Sequence, residues 1–250
     1  FTTSLNYFAN ADLTNLNSDT DYIYVNFPFT KLLTYPFSWV LPMLIIAFLL
    51  FIALVTVGIY KKKMTVIGVL KGFIPYILSL VLCIGISFGL WQLLLIIHPQ
   101  YTDMLHGFTY NGYQYIIAFV LLNLWILFKV YNKLKEAKAI DLLVAPITFG
   151  LFINVIIYMN LPGAGFFIIP VFASLLILAI LLFMNINKAS RATLFAIISI
   201  PTVYMIAPMI QLFPVALGLK TLFISAVLLV FIFGLMLPVF YQEKTKNGWQ

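Results

Sequence analysis

Residues 40–60 read "VLPMLIIAFLLFIALVTVGIY", an apolar run without a single charged residue. A helix needs about 20 mostly apolar residues to cross the hydrocarbon core of a bilayer. Six further runs meet this requirement: 72–97, 112–128 with an extension to 131, 142–161, 163–184, 192–212 and 221–241. Each run is predicted to be a helix, because an open strand would leave backbone groups unpaired in lipid. None of the runs alternates as the strands of a closed barrel must.

The composition agrees with a chain that lies mostly in lipid. Of its 250 residues, 64% are hydrophobic and 8% are charged, whereas a soluble domain has about 25% charged residues. So much apolar surface could not be hidden from water in a fold of this size. The sequence therefore predicts an all-α, polytopic transmembrane bundle of about seven spans, whose main partner is the lipid bilayer.

The basic residues predict the orientation of this bundle. The net charge is +7, and we interpret it as an orientation signal rather than as a nucleic-acid interface. Lys31 and Lys220 lie on one side, and the other twelve Lys and Arg residues lie on the other: Lys61, Lys62, Lys63, Lys71, Lys129, Lys133, Lys135, Lys138, Lys188, Arg191, Lys244 and Lys246. The positive-inside rule then predicts a non-cytoplasmic segment over 1–37, a seven-span domain over 38–241 and a cytoplasmic tail over 242–250.

The predicted span interiors contain no Asp, Glu, Lys or Arg. Pumps and ion-coupled transporters usually need such a group, because a charge inside the membrane is costly and is kept for function. The most interior polar side chains are Asn123 and Asn154. We expect both to hydrogen-bond neighbouring helices, and a substrate-binding role is the alternative.

Small residues and prolines predict packing features within the spans. Gly85 and Gly89 in "GISFG" have the spacing that lets helices approach closely, and we expect them inside the bundle. Pro201 and Pro208 are expected to kink the sixth span. We interpret this kink as structural, with a cavity-lining role as the alternative.

One loop carries potential metal ligands, namely His98, Asp103 and His106. Their spacing matches no helical zinc pattern, so we interpret them as surface residues. The single cysteine, Cys83, rules out a disulfide within the chain and argues against a thiolate metal cluster. We find no nucleophile–base pair, glycine-rich phosphate loop or carboxylate dyad. The sequence therefore assigns no catalytic, cofactor-binding or metal-binding residue.

The first residues, "FTTSLNYFANADLTNL", place Leu5, Phe8, Leu13 and Leu16 at helix-like intervals. A helix lying on the membrane surface could have this pattern, but the stretch has no basic residue to attract anionic lipid. The preferred interpretation is the last helix of a preceding domain, joined by a linker to the first span.

Several longer stretches resemble a known family. "YFANADLTNL", "DYIYVNF", "LLTYPFSWVLPM", "HGFTYNGYQYIIAF", "LPGAGFFIIPVF" and "SIPTVYMIAPMIQLFPVALGL" are similar to the membrane region of two-zinc, aminopeptidase-type metallopeptidases. This group includes the endoplasmic-reticulum metallopeptidase, the fungal vacuolar membrane protease and bacterial relatives.

The resemblance implies a membrane-anchoring domain of a zinc-dependent exopeptidase, with the catalytic domain upstream on the non-cytoplasmic side. The family's zinc ligands lie in that upstream domain, and His98 and His106 do not match them. Zinc and peptide substrate are thus expected only through the upstream domain, which is itself the expected protein partner. We expect a bacterial inner membrane, with the N-terminal side periplasmic or extracellular. The alternative is a stand-alone transporter-like or scaffold protein, and of the transporters a carrier of lipid or another apolar solute fits best.

Overall fold

A computed structural model describes residues 21–27, 30–134, 137–185 and 187–241. Seven helices run through this part of the chain: α1 (Val40–Tyr60), α2 (Val66–Ile97), α3 (Gly112–Asn132), α4 (Ala139–Asn160), α5 (Ile168–Phe183), α6 (Lys188–Leu217) and α7 (Leu222–Phe240). Each has the length and apolar composition to cross a membrane, α5 together with the 3-10 turn before it. The prediction of a multi-pass, all-α bundle with seven spans is confirmed. The helix expected at Leu5–Leu16 lies outside the described residues, as does the tail 242–250.

Helix α2 begins six residues before the predicted span. Thr65 precedes it, and the Thr65 hydroxyl accepts a hydrogen bond of 3.0 Å from the backbone N–H of Gly68. This is the contact by which Thr caps a helix start. The prediction began the span after Lys71, because a charge ends an apolar run. A long lysine side chain can nevertheless continue a helix if its ammonium reaches water or the headgroups.

A two-stranded antiparallel hairpin precedes the bundle, with β1 at Tyr22–Phe27 and β2 at Thr30–Pro36. Tyr22 lies opposite Pro36 and Val25 opposite Leu33. In β1, buried Ile23 and Val25 alternate with exposed Tyr22 and Tyr24, which is the two-residue period of a strand. The hairpin takes the place of the linker predicted for this stretch and is an addition to the predicted fold.

The contacts between loops define two ends of the bundle. At the lysine end, the Lys63 ammonium donates to the carbonyl of Leu182 at 2.9 Å, and the Lys138 ammonium donates to the carbonyl of Lys63 at 3.4 Å. At the hairpin end, the strands lie beside the 3-10 turn Pro162–Phe167. The lysine end and the hairpin end are thus the two opposite ends of the bundle.

Glycines bring the central helices close together. A Cβ added at Gly150 of α4 would lie 2.9 Å from Val171 and 3.0 Å from Phe231. One added at Gly234 of α7 would lie 2.8 Å from the Cβ of Pro146. Helices without side chains at such points can approach more closely and gain van der Waals contact, which is a main source of association in lipid.

The prediction for Gly85 and Gly89 is wrong. Both are exposed, and a Cβ added at either would meet no described atom of a neighbouring element within 4 Å. The close approach of α2 occurs instead at Gly68 and Gly72, which have the same spacing. A Cβ at Gly72 would lie 2.8 Å from the backbone carbonyl oxygen of Asp141. Small residues shorten a helix–helix distance only on the face where a partner helix lies. Gly85 and Gly89 face no described element, whereas Ser87 between them packs on α3.

Helix α6 contains Pro201, Pro208 and Pro214. A proline has no N–H, so the carbonyl four residues earlier loses its helical donor. For Pro214 that carbonyl belongs to Ile210, and the Ser225 hydroxyl of α7 donates to it at 2.7 Å. A backbone group freed by Pro214 thus joins two helices. The kink expected at Pro201 and Pro208 stays a prediction.

Candidate functional site

The hairpin is packed onto the bundle through the turn Pro162–Phe167. Gly165 in this turn has no room for a side chain, since a Cβ there would lie 2.5 Å from Ile23 and 2.7 Å from Val40. Just after β2, the ring of Phe37 stacks on Tyr158 of α4, with centroids 5.6 Å apart. These contacts fix the direction in which the chain enters α1.

Tyr35 of β2 is also part of this contact. It is only 7% exposed, and its hydroxyl has no hydrogen-bond partner among the described residues. Burial raises the pKa of Tyr35 from its usual value near 10 to about 12, since an ionised phenolate would lose its hydration there. The side chain therefore acts as an apolar anchor of the hairpin and stays neutral across the physiological range.

Two loops at the hairpin end are joined to each other. The His106 Nε2 donates to the carbonyl oxygen of Val215 at 2.8 Å, and the Leu219 N–H donates to the carbonyl of Gly107 at 2.9 Å. Gly107 and Gly218 both have positive φ, 67° and 88°. Glycine suits this conformation, and a Cβ at Gly218 would also lie 2.6 Å from the carbonyl of His106. The loop between α2 and α3 is therefore held against the turn between α6 and α7.

The histidines of this loop make contacts that explain them structurally. The His98 ring lies 5.1 Å from Tyr101, which stacks on Trp91 and whose hydroxyl is 3.1 Å from that of Tyr115. Asp103 is exposed. Over the ranges that the structure describes, no three His, Cys, Asp or Glu side chains form a group that could hold a metal ion.

Some apolar side chains at the hairpin end remain uncovered. Leu105 and Tyr110 are almost fully exposed, and Tyr22 and Tyr24 face outward from β1 with ring centroids 6.5 Å apart. Leu161, at the start of the turn beneath the hairpin, is exposed as well. These five side chains, here called the outer apolar surface, could contact membrane headgroups or another domain, because aromatic and aliphatic groups suit both environments.

The two interior asparagines both bond to neighbouring elements, as predicted. The Asn123 amide donates to Ser87 of α2 at 3.0 Å. The Asn154 amide donates to the carbonyls of Gly150 at 2.8 Å and Phe167 at 3.1 Å. A polar group buried among apolar side chains is costly without a partner. These contacts support a packing role for both amide groups, and the Asn154 Oδ1 is buried without a partner among the described residues.

One acidic residue was missed. Asp141 is 4% exposed in the first turn of α4, and a Cβ at Gly68 would meet its carboxylate. The positive end of the helix dipole favours a carboxylate at this position. The predicted span started at residue 142 and so excluded it. The signal that could have found it is an acidic residue directly before an apolar run, where helices begin.

A groove opens between α2 and α3 on the side of the bundle, towards the lysine end. Its volume is about 610 Å³, which is in the range of ligand-binding cavities. Its walls are mainly aliphatic, with Trp125 on one side and Pro75 on the other. The sequence carries no signal for this groove, because a gap between two helices depends on their packing.

Comparison with known proteins gives no match to a family model, to a curated protein or to a solved structure.

Proposed function

We propose that the chain is the membrane-anchoring domain of a zinc-dependent exopeptidase, whose catalytic domain lies upstream in sequence on the non-cytoplasmic side. The observation that carries the proposal is the packing of the hairpin on the bundle. A domain joined to β1 would be held by Ile23, Tyr35 and Phe37 in one orientation relative to the membrane. A flexible linker would not do this. The resemblance of the spans and their flanking segments to such peptidases supplies the identity of the domain.

The charge distribution supports the orientation in this proposal. The hairpin end carries few basic residues, and the lysine end carries most of them. By the positive-inside rule, the lysine end faces the cytoplasm and the hairpin end faces the periplasm or the exterior. The membrane is the bacterial inner membrane. A catalytic domain preceding β1 then lies outside, where peptides from the surroundings reach it.

In this arrangement the bundle itself performs no chemistry. It anchors the enzyme, and the outer apolar surface contacts the underside of the catalytic domain. Leu105 and Tyr110 are the most exposed of the five side chains and so have the most apolar area to bury in this contact. Zinc and peptide bind only in the upstream domain.

The first test is the coding sequence upstream of Phe1. We expect several hundred residues that contain an early His-x-Asp, a Glu-Glu pair, and later Asp and His. The complete product should hydrolyse an aminoacyl reporter and lose this activity when zinc is chelated. The 250-residue chain alone should be inactive. An in-frame start directly upstream, or turnover by the purified 250-residue chain, would contradict the proposal.

The second test concerns the hairpin. In the complete product, Gly165→Val should displace the hairpin, because the new side chain meets Ile23 and Val40. Limited proteolysis should then cut the junction before α1 faster than in the wild type. Gly163→Val is the matched control, since a Cβ at Gly163 meets no described atom within 4 Å. Equal cleavage of the two variants would show that the hairpin does not hold the junction.

The groove between α2 and α3 favours a second candidate, a carrier of lipid or another apolar solute. Its aliphatic walls suit such a solute. Reconstituted in vesicles, a carrier would speed the exchange of a fluorescent lipid between leaflets. The anchoring proposal predicts the same exchange rate as in empty vesicles.

A further inference from the structure

Three lysines converge on the mouth of the groove between α2 and α3. Lys71 comes from α2, Lys129 from α3, and Lys133 from the first residue after α3. All three are exposed, and the described residues that line the groove include no Asp or Glu. Like charges repel, so a concentration of three ammonium groups is most favourable when an anion lies between them.

The rest of the groove is apolar and extends into the membrane. Its wall on α2 runs from Lys71 to Ile86, a distance of about 22 Å along the helix axis. One leaflet of a bilayer has about 15 Å of hydrocarbon, half of the full core. The groove is therefore long enough to hold an acyl chain over the whole depth of its leaflet.

Three features border the groove. Asn123 hydrogen-bonds Ser87 near the deep end, so α2 and α3 are joined there. Nearer the lysines, Pro75 of α2 lines the groove, and it has no N–H to bond the carbonyl of Lys71. On the opposite wall, the Lys129 ammonium lies 5.6 Å from the ring centroid of Trp125, which holds this lysine beside the groove.

We propose that this groove binds one anionic phospholipid of the leaflet at the lysine end. The lysines pair with its phosphate and headgroup, and one acyl chain lies along Ile74, Leu78 and Leu82. Charge complementarity selects an anionic lipid over a zwitterionic one, and the apolar walls select a lipid over free phosphate. The site is independent of the peptidase proposal, since it uses residues at the opposite end of the bundle from the hairpin.

The test is native mass spectrometry of the full chain after reconstitution in an equimolar mixture of phosphatidylglycerol and phosphatidylcholine. We expect one retained phosphatidylglycerol per chain. The variant Lys71→Gln/Lys129→Gln/Lys133→Gln should lose this preference by about two orders of magnitude, since each lysine near a membrane surface contributes about fivefold. The control Lys61→Gln/Lys62→Gln/Lys138→Gln removes the same charge from the same end and should keep the lipid.

A second pair of variants tests the acyl-chain part without changing any charge. Leu78→Trp fills the groove and should expel the lipid, whereas Ile46→Trp, on the outer face of α1, should not. Inorganic phosphate at millimolar concentration should not displace the lipid. The proposal is overturned if the wild type retains no anionic lipid, if both lysine variants lose it equally, if Leu78→Trp keeps it, or if phosphate competes.

Discussion

Helices α1 and α7 are similarly apolar, but their positions in the bundle differ greatly. In the most apolar stretch of α7, 72% of the residues are buried, compared with 17% in α1. A lipid tail is as apolar as a leucine side chain, so hydropathy cannot tell a central span from a lipid-facing one. The central helices differ in their small and polar residues: Gly150 and Asn154 in α4, Gly234 and Ser225 in α7. Such residues permit a close approach but do not by themselves place a helix inside, because α2 also contains glycines and serines and only 17% of its most apolar stretch is buried.

The largest expected effect on stability comes from removing a large side chain that is buried between the central helices. Phe231 of α7 is fully buried and packs on Phe149 of α4, with ring centroids 5.9 Å apart. Phe231→Ala should lower the unfolding free energy by about 3 kcal/mol, the low end for such changes because lipid removes the transfer term. Unfolding by SDS in mixed micelles measures this. The control Leu49→Ala, on the exposed face of α1, should change little. Equal losses would mean that α7 is not central.

Adding a large side chain between the central helices should lower the unfolding free energy somewhat less. Gly234→Leu places a side chain against Pro146 and Tyr76, which should lower the unfolding free energy by about 2 kcal/mol through strain. Gly85→Leu adds the same side chain to α2 where a Cβ meets no described neighbour within 4 Å. The SDS midpoint of Gly85→Leu should match that of the wild type. A loss at position 85 as large as at 234 would restore the original prediction for "GISFG".

A smaller effect is expected for the polar contact between the outer helices α2 and α3. A double-mutant cycle of Ser87→Ala and Asn123→Ala should give a coupling energy of about 0.6 kcal/mol, the average found for hydrogen bonds between membrane helices. Ser79→Ala is the control, because the Ser79 hydroxyl is buried without a partner among the described residues. Its removal leaves no group unpaired and should be nearly neutral. A coupling energy near zero would show that this hydrogen bond does not stabilise the packing of α2 against α3.

The smallest effect at neutral pH is expected outside the bundle. Tyr35→Phe removes a buried hydroxyl that has no described partner, so hairpin stability should be nearly unchanged. The wild type and Tyr35→Phe should differ in hairpin stability only at alkaline pH. The pKa of Tyr35 is raised to about 12 in the folded hairpin, so the unfolded chain ionises first, near pH 10. The contribution of this residue is therefore complete below pH 10 and is lost between pH 10 and 12.

Tyrosinate absorbance, as the difference between wild type and Tyr35→Phe, measures this titration. An apparent pKa near 10 would show that the hairpin does not bury Tyr35. Proteolysis of the hairpin at rising pH gives a second reading, in which only the wild type should become more sensitive above pH 10.

The spans could be predicted from the sequence because a long apolar run has one stable form in lipid. Their boundaries could be predicted only where no charge interrupts the helix, as the early start of α2 at Val66 shows. The hairpin also had a signal in the sequence, because Ile23 and Val25 alternate with Tyr22 and Tyr24. This alternation is short and stands close to the long apolar run of α1.

The sites depended on packing and were harder to predict. Asn123 and Asn154 could be identified because an interior amide must find a partner. The groove could not, since Lys71 and Lys129 are 58 positions apart and meet only when α2 and α3 are placed side by side. The pairs Gly68–Gly72 and Gly85–Gly89 have the same spacing in the sequence. Only the position of α4 determines which pair forms the close helix–helix contact.

The bond between Ser225 and Ile210 has a consequence for how the protein enters the membrane. Alone in lipid, α6 would expose the Ile210 carbonyl that Pro214 leaves without a donor, and an unpaired backbone group there costs several kcal/mol. The donor belongs to α7, which follows after a short turn. We therefore expect α6 and α7 to stabilise each other once both are in the membrane, and to insert as one unit.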